Sequence, residues 1–177
     1  MKLLLLFSLL SFNFWAQTFP VDPLSGKIYY AEEVLVKDGP QFDLYHRAKA
    51  WFAAGKNKKA LQTDDLANGL LVGRNYRFVS VPDGNKAQTY RLWYTVKLEM
   101  EDDRYWYSIT DFLLEGEQLP NAAGVKAHKS KVPLEALVLT KNGTDPKEKK
   151  EILNKLLEKA THKSILALIK ELKASML

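Results

Sequence analysis

Between Tyr90 and Leu114 the chain leaves little choice but β-structure. Apolar residues stand at 90, 92, 94, 96, 98 and 100, with polar residues at 91, 95, 97 and 99 between them. A period of two held over that length is the mark of a strand with one face buried. Glu101-Asp102-Asp103 follows, and then Arg104-Tyr105-Trp106-Tyr107-Ser108-Ile109-Thr110-Asp111-Phe112-Leu113-Leu114, a second run rich in aromatic and β-branched residues. Two such runs about an acidic turn predict a β-hairpin. The alternation sends most of its rings inward. Trp93 is the exception, because it shares a face with Arg91, Thr95 and Lys97.

The remainder of the chain can supply a core for this hairpin to cover. At 177 residues with 46% hydrophobic content, it is long enough for one domain and an appendage. The absence of cysteine excludes disulfides, thiol catalysis and thiolate metal sites. At the N-terminus, Lys2 precedes the apolar run Leu3–Leu10, and Ala16 stands at a plausible cleavage point. That run is short for a membrane span, so residues 1–16 read as a signal peptide and the mature protein as exported, periplasmic or secreted. Phe14 fits the small-x-small cleavage rule poorly. Losing residues 1–16 removes one lysine and no acid, which takes the net charge from +5 to +4. The basic residues fall in small clusters (Lys56, Lys58 and Lys59; Lys126, Lys129 and Lys131; Lys147, Lys149 and Lys150). These describe solvated faces better than the concentrated patch that nucleic acid requires.

Pro20 and Pro23 keep the mature start extended. Lys27–Lys37 reads as a strand. Leu44, Tyr45, Ala48, Trp51 and Phe52 mark one face of a helix from Pro40 to Ala54, with Asp38 or Gly39 at the cap, Pro40 in the first turn and Gly55 ending it. Ala60–Asp65 is a short strand. Leu70–Val81 is another, with Leu70, Val72, Tyr76 and Phe78 on one side and Gly73 at a bulge or close contact. Pro82-Asp83-Gly84-Asn85 is a turn. Residues 115–133 read as a linker or long loop and 134–177 as a helical region. Asp145, Pro146 and Glu148 form a helix start, followed by a stripe of Ile152, Leu153, Leu156, Leu157, Ile165, Leu166, Leu168, Ile169, Leu172 and Met176. Thr161-His162-Lys163-Ser164 either interrupts that helix or lies within it. Asn142-Gly143-Thr144 is a glycosylation sequon, relevant only in a eukaryotic secretory pathway.

The expected fold is therefore α+β: an antiparallel sheet of about five strands in strand-helix-strands order, with C-terminal helix or helices. Several phrases together are similar to a known family: Phe19-Pro20, Gly26-Lys27-Ile28-Tyr29-Tyr30, Leu44-Tyr45-His46-Arg47-Ala48-Lys49-Ala50-Trp51-Phe52, and Arg104 through Phe112. They resemble the secreted bacterial domain of unknown function described as having a TATA-binding-protein-like fold. The resemblance covers about residues 19–114, implies the same strand order, and carries no functional residues with it. Residues 17–114 would form that domain.

None of the three histidines, His46, His128 and His162, sits in a nucleophile-elbow or zinc-helix motif. His46, on the main helix, could serve an unrecognised enzyme only with a carboxylate such as Asp111 beside it. His128 and His162 lie among lysines and read as surface residues. Asp64-Asp65 and Glu101-Asp102-Asp103 do not match a calcium loop and read as turn formers. No cofactor fingerprint is present. The sharper expectation is a non-catalytic, envelope-associated binding module. It would use the hairpin's sheet face at Arg91, Trp93, Lys97 and Trp106 to recognise an envelope protein, a peptide or a carbohydrate. A basic face of the last helix (Lys147, Lys150, Lys155 and Lys159) would also permit contact with anionic lipid, although packing on its own sheet is the commoner use of such a stripe.

Overall fold

The computed structural model describes residues 19–57, 59–83, 86–116, 130–139 and 148–177. The signal-peptide reading, His128, the sequon, the Asp145 cap and Gly84-Asn85 lie outside the described residues. Among the described residues nine elements follow in order: β1 (Tyr30–Leu35), α1 (Gln41–Ala54), β2 (Leu61–Asp65), β3 (Leu70–Asp83), β4 (Lys86–Glu101), β5 (Arg104–Gly116), β6 (Ser130–Pro133), α2 (Leu134–Val138) and α3 (Glu148–Ser175). The sheet is antiparallel, in the order β1-β5-β4-β3-β2, with β6 pairing the far half of β5. Among the described residues it has six strands, one more than the five or so expected. The extra one, Ser130–Pro133, and the last residues of β5, Glu115-Gly116, fall in the segment read as loop. Four residues with a terminal proline give no periodicity to detect.

The hairpin forms as expected, with β4 against β5 and Glu101 opposite Arg104 across Asp102-Asp103. Its register slips once. Trp93 pairs with Leu113 and Thr95 with Thr110, so two residues of β5 oppose one of β4. This bulge is built on Asp111, at φ 53, and it returns Phe112 and Leu114 to the buried face. Without it, β5 would present its apolar end to solvent.

One sheet face is covered. Leu92, Tyr94, Val96 and Leu98 of β4, Tyr105, Tyr107 and Ile109 of β5 and Leu71 of β3 are buried there, in one cluster with Leu44, Tyr45, Ala48 and Phe52 of α1 and Leu157, Ile165, Leu168 and Leu172 of α3. Gly73 lies directly under Phe52. A Cβ at Gly73 would stand 2.6 Å from that ring, so the close contact anticipated in the sequence is the ring's seat. Gly55 ends α1, but in extended rather than left-handed backbone. A Cβ there would meet the Asn75 amide at 1.8 Å, so space rather than φ demands glycine.

The last helix is single. It runs unbroken through Thr161-His162-Lys163-Ser164, where the buried Thr161 returns its hydroxyl to Leu157 O at 2.6 Å. Leu157, Ile165, Leu168, Leu172 and Met176 of its apolar stripe are buried in the core, while Ile152 and Leu166 stay exposed. None of the described helices is long and apolar enough to cross a membrane.

The start of α1 corrects the sequence reading. The cap position is Pro40, which has no capping side chain. The missing acceptor comes from the hairpin turn: Gln41 N donates to Asp102 Oδ1 at 2.8 Å, and Gly39 N to Asp103 Oδ1 at 3.0 Å. The backbone reinforces this, with Asp103 N donating to Gly39 O and Val36 N to Asp103 O, both at 2.8 Å. A side-chain cap contributes about 1 kcal/mol. Asp102→Ala should therefore lower unfolding free energy by about 1 kcal/mol in urea titration, while Asp102→Asn, which keeps an acceptor, should lose less than half of that. Equal losses for the two variants would refute a capping role.

Candidate functional site

The opposite sheet face carries the residues that the alternation singled out. Trp93 lies there half-buried, between Tyr76 of β3 and Leu113 of β5. Its ring is 4.8 Å from Tyr76 by centroids, and Lys131 of β6 stands 4.3 Å over it. Its indole N–H donates to Glu115 Oε2 at 2.6 Å. Arg91 lies 5.3 Å over the Tyr76 ring and pairs with Glu115 Oε1 at 3.5 Å. Glu115, only 13% exposed, is thus the centre of a closed cluster of two cations and an indole. Arg91 and Trp93 are brought together, but their polar groups are engaged with each other's partner.

Lys97 and Trp106 stand elsewhere on the same face. Ser108 of β5 is flanked across the ladder by Lys97 of β4 and Ala31 of β1. Trp106 is flanked in the same way by Glu99 and Glu33. The small Ala31–Ser108 pair leaves a shallow depression of about 370 Å³ between Tyr29 and Trp106, rimmed by Lys97, Glu99 and Glu33. Tyr29 is 43% exposed. Trp106 is held from behind by Arg104, 5.4 Å from its ring, and Arg104 is held in turn by Glu33 at 3.3 Å and Glu101 at 3.4 Å. Lys97 pairs with Glu99 at 2.9 Å. The four residues singled out in the sequence therefore divide into two groups. Tyr29, Ala31 and Glu33 were missed because the partner of β1 is set by long-range pairing that local patterning does not encode.

Residues 30–114 match the family model described as a domain of unknown function (DUF4468) with TBP-like fold. Those residues form a DUF4468 domain. Two solved structures support the fold. A TBP-like protein from Parabacteroides distasonis ATCC 8503 superposes with a TM-score of 0.62 at 16% identity, over 89% of this chain and 96% of its own. A DUF4468 family protein from Bacteroides ovatus ATCC 8483 gives a TM-score of 0.62 at 13% identity, over 88% and 90%. No curated protein matches the chain. The structural likeness extends well past residue 114, in keeping with the packing of α3 into the core of the DUF4468 domain.

Of the two described histidines, neither stands beside a carboxylate in a catalytic arrangement with it. His46 is exposed on α1, with its ring 4.3 Å from that of Phe42. Asp111, the carboxylate considered for it, is bonded to Lys27 at 2.6 Å. Asp64 of the Asp64-Asp65 pair receives the Tyr45 hydroxyl and Lys49 Nζ, the latter at 2.7 Å. Among the described residues no cluster of three metal-ligating side chains forms.

His162 is not the surface residue its lysine neighbours suggested. On α3 it faces β1, with Nδ1 2.9 Å from the Tyr30 hydroxyl and the Phe19 ring edge-on at 5.3 Å. Burial holds its pKa below the ordinary value, opposed by the nearby Glu158 carboxylate. The folded state thus favours the neutral ring, and the unfolded chain takes up a proton first as pH falls through about 6.5. Stability from this site is complete above that pH and is lost below it, down to the folded pKa. The urea midpoint should fall between pH 7 and pH 5 in the unaltered chain and fall less in a His162→Gln variant, over a range where carboxylates contribute little. An identical decline in both would remove His162 as its source.

Proposed function

We propose that this DUF4468 domain is a non-catalytic binding module, exported and envelope-associated, that takes its ligand on the open sheet face at the depression between Tyr29 and Trp106. The observation that carries this reading is the Ala31–Ser108 pair. Two small residues on adjacent strands hold two aromatic rings apart and leave a floor of one methyl and one hydroxymethyl group. Around it stand both signs of charge, in Lys97, Glu99 and Glu33. A ligand with a flat apolar side and a periphery of hydroxyls suits such a site, stacking on Trp106 while the charged rim receives its polar edge. Carbohydrate has that chemistry. The clamp of Arg104 behind Trp106 supports the same reading, because a ring fixed in advance loses little freedom on binding. Arg91 and Trp93 are assigned to the supporting cluster at Glu115 rather than to ligand contact.

The reading is tested by calorimetric titration of the purified chain with a panel of soluble neutral and amino-sugar oligosaccharides. Binding should weaken by about tenfold or more in Trp106→Ala, which corresponds to about 1.4 kcal/mol. It should be abolished in Ser108→Trp, which fills the depression, and be unchanged in Trp93→Phe. Affinity that survives both Trp106→Ala and Ser108→Trp would place the ligand elsewhere.

A further inference from the structure

β2 pairs β3 only from Leu70 to Gly73, whereas β3 continues to Asp83. Arg74 turns its N–H away from β4 and donates to Ala60 O at 2.7 Å. Alternation then turns the backbone groups of Tyr76, Phe78 and Ser80 to the same side. Side-chain amides close the first of these positions. Asn57 Nδ2 donates to Arg74 O at 2.8 Å, and the buried Asn75 Oδ1 accepts from Tyr76 N and Asn57 N, each at 2.9 Å. Beyond that, no described strand pairs with the outward N–H and C=O groups of Phe78 and Ser80. Pro82, which has no N–H to offer, ends the edge.

Such an edge is ordinarily guarded by charge, and Phe78-Val79-Ser80-Val81-Pro82 has none. Beside it lies a groove of about 430 Å³, walled by Trp51 and Lys56 at the end of α1, Tyr94 and Arg77 of the sheet, and Leu168 and Glu171 of α3. Phe78 is 54% exposed at its rim. The charges are unequal, two cations against one carboxylate. Arg77 Nη2 donates to Glu171 at 2.9 Å, while its Nη1 is buried with no acceptor among the described residues.

We propose that this edge receives an extended segment of a partner polypeptide as an added antiparallel strand. The main chain of the segment would bond Phe78 and Ser80. Its side chain opposite Val79 is apolar and enters the groove, and its side chain opposite Arg77 is a carboxylate. Strand addition divides recognition in this way, with backbone bonds giving affinity and alternate side chains giving choice. A second copy of the chain fits less well. With Phe78 against Phe78 or against Ser80 it sets Val79 or Val81 across from Arg77, and neither supplies an acceptor; with Ser80 against Ser80 it sets Asp83 there but puts Pro82, which has no N–H to give, across from Phe78.

The test is residue-resolved amide hydrogen exchange of the purified full chain with the end-blocked peptide acetyl-Thr-Val-Thr-Val-Thr-Asp-Thr-amide, which runs antiparallel from Pro82 to Tyr76. At saturating peptide the Phe78 and Ser80 amides should slow by about tenfold or more. A peptide with lysine in place of aspartate should bind at least about tenfold more weakly. Ser80→Pro removes an edge donor but no existing ladder bond, so it should abolish the protection of Phe78 while the chain remains folded by circular dichroism. No slowing at about 2 mM peptide, a concentration that detects binding weaker than ordinary peptide recognition, would overturn the proposal. Equal affinity for the lysine peptide would overturn it as well. Protection that grows with protein concentration alone would do the same, because it would make a second copy the occupant.

Discussion

The contact between the hairpin turn and the start of α1 is the constraint on which the other elements depend. Asp102 and Asp103 hold Gln41 and Gly39 through their carboxylates, and the backbone of Asp103 holds both Val36 and Gly39. The end of β1, the beginning of α1 and the tip of the β4–β5 hairpin are therefore one knot. Two left-handed residues make it possible, Asp38 at φ 55 and Asp103 at φ 63, and aspartate is among the few side chains that tolerate that conformation. With the helix start fixed over the hairpin tip, Leu44, Ala48 and Phe52 are carried along the covered face to the seat at Gly73. A helix whose own cap is a proline without a side-chain acceptor would otherwise begin with its first N–H groups unanswered.

From this knot follows the division of the sheet. All the large apolar groups of β4 except Trp93, and most of those of β5, go to the side that α1 and α3 cover, and the Asp111 bulge preserves that division to the end of β5. The other side is left, among the described residues, without a helix. It is nevertheless not a plain polar surface. Tyr76, Phe78, Trp93 and Trp106 stand on it, each with a charged neighbour, and the glutamates 33, 99 and 115 interleave with Arg91, Arg104, Lys97 and Lys131. Aromatic rings flanked by cations and carboxylates remain wet and soluble while still offering apolar area, which is the composition expected of recognition surfaces.

Much of this fold was legible wherever the information was local. The eleven-residue alternation of β4, the helical spacing of Leu44 to Phe52 and the stripe of α3 each encode burial in the spacing of apolar residues. What escaped was set by distance along the chain. No local rule places the cap of α1 on residues 102 and 103, or pairs Ser130–Pro133 with the end of β5. His162 was misjudged for the same reason. Its lysine neighbours in sequence point elsewhere around the helix, while Tyr30 and Phe19 reach it from the opposite end of the chain. Asp111 looked like a possible partner for His46, yet its positive φ serves a bulge and its carboxylate answers Lys27.

The aromatic pair shows the same limit at finer grain. Alternation singled out Trp93, with Trp106 named beside it as a second candidate, and both stand on the open side of the sheet. Alternation could not tell which ring is open, because the difference lies in what adjoins each ring across the ladders. Trp93 faces Leu113 and Tyr76, with Glu115 and Lys131 closing around it, so its apolar faces and its N–H are already committed. Trp106 faces two glutamates, and away from Arg104 its next neighbours on that face are Ser108 and Ala31, which are too small to cover it. Whether an aromatic residue on an open sheet acts as a pillar or a platform is thus decided by the size of the residues one pleat away on adjacent strands. The strand pairing, rather than the ring itself, directs attention to Trp106.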